Sequence, residues 1–92
     1  FLLSMGIATA KAVPFMLYNS GLSSIALEIP GVMNPNLSPL SVSGVGLGVG
    51  QKIYYYHQGQ RVTLLEVDES LRNQKVNVRK LIMKQKAELK KG

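Results

Sequence analysis

The sequence predicts an α+β fold: an N-terminal apolar helix, a Pro/Gly-rich extended crossing, a small antiparallel sheet with a hairpin, and a basic C-terminal helix. Three observations predict it. Residues 1–18 hold thirteen apolar residues and a single charge, Lys11. Residues 52–67 are rich in strand formers on either side of Gln58-Gly59. Residues 78–91 set apolar side chains at helical spacing among lysines. Read this way, the chain divides into an apolar segment (1–22), an extended segment (23–51) and a hairpin with its basic helix (52–92).

The first element is read as a membrane-embedded helix. A span needs roughly 20 apolar residues to cross about 30 Å of hydrocarbon, and the run is close to that length. Phe1, Leu2, Leu3, Ile7, Val13, Phe15 and Leu17 would face lipid. Lys11 would snorkel or pair, and Pro14 removes one backbone donor. Two alternatives stand beside this reading. One is a helix packed in a protein core; the other is a leader remnant, for which Ala8-Thr9-Ala10 supplies a small-residue cleavage pattern. The chain begins at Phe1, and residues upstream would lengthen the greasy run.

Asn19-Ser20-Gly21 ends this element, because Asn and Gly accept positive φ. Residues 24–29 alternate, with Ile25, Leu27 and Ile29 on one face, as a short strand does. Pro30-Gly31 stops it. Residues 34–39 carry two prolines and two asparagines, which excludes a helix and predicts an extended turn. In residues 43–50 every second residue is glycine. No Lys-Ser/Thr follows and the third glycine of a dinucleotide fingerprint is missing, so neither phosphate-binding motif is present. The pattern predicts a strand with one bare face that another backbone approaches closely.

Residues 52–57 and 61–67 read as hairpin strands, residues 75–78 as a third short strand, and Val78 to Lys91 as a helix capped by Asn77. One helix from about residue 69 to 91 is the alternative; the alternation of Val76 and Val78 favours strand then helix. Val78, Leu81, Ile82 and Leu89 form a narrow apolar stripe on that helix.

Composition limits the chemistry. There is no Cys, and His57 is the one histidine. A thiolate site, a disulfide framework and a multi-imidazole metal site are excluded. His57 reads as a polar hairpin residue, and the adjacent Asp68 and Glu69 form no acid/base pair. We therefore expect no catalytic, cofactor-binding or metal-binding residues, and no enzyme.

The net charge of +6 is polarised. Residues 1–50 carry only Lys11 and Glu28, leaving ten bases and four acids for the remainder. Arg79, Lys80, Lys84, Lys86, Lys90 and Lys91 would meet anionic lipid or an acidic protein surface, and Tyr54, Tyr55 and Tyr56 would lie at an interface. These features predict a small non-catalytic accessory or structural subunit of a larger membrane complex, its partners being the other subunits. The membrane would be an organellar inner, thylakoid or bacterial inner membrane, with the basic end on the matrix, stromal or cytoplasmic side. The alternative is a basic RNA-binding or ribosome-associated protein in which the tyrosines stack bases.

Overall fold

A computed structural model describes residues 12–91, with side chains described as far as Glu88. Phe1, Leu2, Leu3, Ile7 and Lys11 lie outside the described residues, as do the side chains of Leu89, Lys90 and Lys91. The described chain is a small α+β fold of mostly strands: β1 (Val13–Tyr18), β2 (Ile25–Ala26), β3 (Asn36–Leu37), β4 (Val42–Leu47), β5 (Lys52–His57), β6 (Gln60–Glu66), a 3-10 turn (Glu69–Leu71), β7 (Lys75–Asn77) and one helix, α1 (Val78–Lys91).

The expected N-terminal helix is corrected. From Val13 onward the segment is β1, the central strand of a sheet ordered β4-β1-β7. Val13, Phe15 and Leu17 are buried in the protein's own core rather than facing lipid, and Pro14 and Met16 point outward. The pattern has a period of two, which a count of apolar residues along a window does not register. Among the described residues no helix is long and apolar enough to cross a membrane, so the assignment of a transmembrane helix is also withdrawn.

Pro14 is tolerated in a central strand for a local reason. Asn19 N–H reaches Ser41 O at 3.0 Å, which sets the phase of the β1/β4 ladder and places Pro14, opposite Gly46, at a non-hydrogen-bonded position. On its other side β1 pairs in parallel with β7 only from Met16 onward. Pro14 needs no donor there, and its carbonyl accepts Asn73 N–H at 2.7 Å.

The second layer is built from two short ladders. β2 pairs with β3, and β5 pairs with β6 around a turn in which Gln58 (φ 53°) and Gly59 (φ 79°) are both left-handed. Such a turn matches the twist of a two-residue hairpin, and glycine adopts it without strain. A shift of register after Ile53 leaves Leu64 as an extra residue in β6 and turns it into the core. The ladders join through one bridge, where Glu28 and Tyr54 exchange N–H···O bonds of 2.8 Å. Inward residues of both layers, with Val78 and Ile82 of α1, form one buried cluster.

α1 begins at a side-chain cap. Asn77 Oδ1 accepts Lys80 N–H at 3.0 Å and the Ser20 hydroxyl at 3.1 Å, tying the helix start to the loop after β1. Val78 and Ile82, one turn apart, enter the core, and Gln85 Nε2 donates to Leu64 O at 2.9 Å. Asn77→Ala is expected to cost about 1 kcal/mol of stability, the usual worth of such a cap, whereas Asn77→Asp should retain it; urea denaturation at neutral pH measures both.

The glycine-faced strand also departs from expectation. A Cβ built at Gly44 or Gly48 meets nothing within 4 Å, and one at Gly46 meets only Ala12 Cβ at 3.9 Å. Among the described residues no backbone covers β4's bare face. β4 lies at the edge of its sheet as far as the described residues go, and its glycines are exposed.

Candidate functional site

The three consecutive tyrosines alternate across β5. Tyr55 points inward and is 3% exposed, whereas Tyr54 and Tyr56 lie on the outer face. There, Arg61 lies 4.0 Å from the centre of the Tyr54 ring and 3.5 Å from Glu28 Oε1, to which the Tyr56 hydroxyl donates at 3.0 Å. These outer rings are already engaged by a cation and a carboxylate of the same chain.

Below them the sheet opens. β2 and β5 touch at Glu28 and Tyr54 and then diverge toward Ser23. Strand alternation directs the main-chain groups of Ala26 and Tyr56 toward one another across the opening. α1 closes the inner side. The result is a groove of about 370 Å³ whose floor includes Ile25, Tyr55, Ile82 and Met83, with Ser23, Ser24, Arg79 and Lys86 as polar lining. Ala26 and Tyr56 also line a smaller hollow of about 280 Å³ with Leu27, Glu28 and Asn34. Both depressions therefore flank the same parting between strands.

Two polar groups here lack partners, one closed off from solvent and one lining the groove. The Tyr55 hydroxyl is buried with no hydrogen bond among the described residues, a rare and costly condition. Arg79 is half-buried and makes no ion pair among them, although Arg61 and Arg72 are both matched to carboxylates. An unmatched guanidinium favours an anion, because its five N–H donors form a fixed fork suited to a carboxylate. Gly21 leaves room for it. A Cβ at that position would lie 2.6 Å from Arg79 Nη1 and 2.8 Å from Nε, so only glycine leaves space for this rotamer.

Burial pushes the Tyr55 hydroxyl above the ordinary tyrosine range. The Tyr56 hydroxyl is raised chiefly by its hydrogen bond to Glu28, then by burial and the nearby carboxylate charge, against the opposing pull of Arg61. A folded-state value above the unfolded one contributes stability below about pH 10 that is lost as pH rises through the folded value. Tyr55→Phe removes both the orphan hydroxyl and its share of this alkaline loss. It is expected to raise stability at pH 7 by about 1 kcal/mol, the lower end of the cost of an unsatisfied buried group, and to flatten the decline above pH 10. Urea denaturation across pH 7–11 checks both.

Sequence reasoning singled out Tyr55, Tyr56, Arg79 and Lys86, but as parts of two separate surfaces; the fold brings them into one groove. Tyr54 lies on the outer face, and Lys80 and Lys84 are exposed outside the groove lining. Gly21, Ser24 and Ala26 were read only as a chain break and strand positions, and Ser23 and Met83 were given no role. Nothing in a single sequence pairs residues 23–26 with 55–56 across nearly thirty positions. Among the described residues no cluster of three His, Cys, Asp or Glu side chains is placed to hold a metal ion.

Comparison of the chain with protein-family models, with curated proteins and with solved structures finds no match. The chemistry of the groove therefore carries the functional reading.

Proposed function

We propose that this chain is a small non-catalytic accessory protein whose groove receives an extended, acidic segment of a partner subunit. The observation that carries the reading is a half-buried Arg79, without an ion pair among the described residues, that shares one partly apolar opening with Lys86, Ile82 and Met83. A carboxylate of the segment meets Arg79 and Lys86. Its neighbouring apolar side chain rests on Ile82 and Met83. Its backbone joins the groups that Ala26 and Tyr56 present, in the manner of strand addition. The basic face of α1, including Lys80 and Lys84, adds long-range attraction for an acidic partner. Chemistry is not expected, since the described lining residues include no carboxylate or imidazole to act as acid or base.

The RNA-binding alternative has less support. Arg61 already covers Tyr54, and the Glu28 carboxylate beside Tyr56 repels phosphate.

A fluorescein-labelled peptide alternating Glu and Val tests the proposal by anisotropy. Binding in the micromolar range at 50 mM salt, weakening several-fold at 300 mM, is the expected result. Equal binding by the Lys-Val counterpart, or tighter binding by a single-stranded RNA oligonucleotide of the same charge, refutes it.

A further inference from the structure

A different part of the molecule carries an inference independent of the groove. Among the described residues β4 is an edge strand, and Val42–Leu47 contains no charge, proline or bulge to protect that edge. The β1/β4 ladder assigns Ser43, Val45 and Leu47 to the hydrogen bonds with β1. The main-chain groups of Val42, Gly44 and Gly46 consequently point away from the sheet. The side-chain positions of these same three residues are on the exposed face.

We propose that the free edge of β4 pairs with β4 of a second copy, antiparallel and centred on Gly44. In that register Gly44 faces Gly44 across a two-fold axis, and Val42 faces Gly46 of the second copy. Each outward N–H and C=O of one edge then meets its complement on the other, as an isologous contact requires. Packing is complementary too. Val42, 49% exposed, covers the bare backbone at Gly46, where a side chain would have only Ala12 nearby. The exposed side chain of Met16 lies opposite Gly44 on the same face. The pairing extends each three-stranded sheet into one continuous sheet through the axis.

Charge selects this edge over other surfaces. Each copy carries +6, yet no charged residue occurs between Glu28 and Lys52. β4 lies within that neutral stretch, so two basic chains can meet there without like charges in direct opposition.

Sedimentation velocity of the full chain over 5–500 µM tests the pairing, with two variants that the open space at Gly44 accommodates. The unsubstituted chain is expected to pass from monomer to dimer across this range. Gly44→Lys sets two ammonium groups against each other at the axis and should weaken association at least tenfold, with an unchanged circular dichroism spectrum. Gly44→Val, a favourable cross-strand pair, should strengthen it or leave it intact. A monomer at 500 µM, or a Gly44→Lys chain that dimerises as well as the original, overturns the proposal. Neither result bears on peptide capture in the groove, which is read by anisotropy of the labelled peptide and whose lining includes no residue of β4.

Discussion

Asn19→Leu is expected to destabilise the fold by about 4 kcal/mol, the sum of several buried groups left unsatisfied at about 1–3 kcal/mol each. Asn19 is completely buried, the only polar residue of the described chain in that class. Its Nδ2 donates to Ser23 O at 2.8 Å, Leu37 O at 3.1 Å and Ser38 O at 3.2 Å, and its Oδ1 accepts Gly21 N–H at 2.9 Å. One side chain thus fastens the end of β1, the loop that enters the groove, and the strand that supports β2. Leucine matches its size and supplies none of these bonds. A domain of this length has about 5–10 kcal/mol in total, so the variant should be largely unfolded near 37 °C. Urea denaturation with matched m-values measures the loss.

Asn19→Asp separates hydrogen bonding from size. The carboxylate would face three carbonyl oxygens, which raises its folded-state pKa above the unfolded value of about 3.9. The sign follows: the variant's deficit is smallest below pH 4, where the neutral acid can donate, and grows as pH rises through the folded value. A deficit independent of pH would show that the carbonyls do not converge on this side chain.

Reversing the charge of the groove has the second large effect. Arg79→Glu combined with Lys86→Glu is expected to weaken binding of the Glu-Val peptide at least 100-fold, since losing a hydrogen-bonded charge contact costs about 2–5 kcal/mol. Stability should change little, because neither cation is ion-paired within the described fold. Gly21→Ala supplies a test without any change of charge. The added methyl displaces Arg79 from its seat and should weaken the peptide about tenfold, a loss of about 1.4 kcal/mol. Lys80→Glu with Lys84→Glu alters the same net charge outside the groove and should cost only a few-fold, most of it abolished by salt. Equal losses from the two charge reversals would mean that field, not contact, governs binding.

The parts of the fold legible in the sequence are those whose signals are local. Tyr54 to Tyr56, Gln58-Gly59 and Val62 to Val67 mark a hairpin because strand-favouring residues flank a turn within one short stretch of chain. Asn77 marks the start of α1 because a cap acts three residues ahead, and the lysines that follow mark its solvated face. Asn19 illustrates the limit. As a chain breaker it was visible, but its role depends on carbonyls of residues 37 and 38, which only the folded chain delivers.

By itself, the sequence determined the hairpin, the capped basic helix, the absence of thiol chemistry and the uneven placement of charge. Tertiary structure decided the fate of the residues from Val13 to Tyr18, the opening between β2 and β5, and the free edge of β4. The physical reason is that an apolar run records only that side chains must leave water. Whether lipid, a helix partner or two flanking strands provide the shelter depends on distant residues. For β1 those are residues 42–47 and 75–77, whose pairing makes it a central strand.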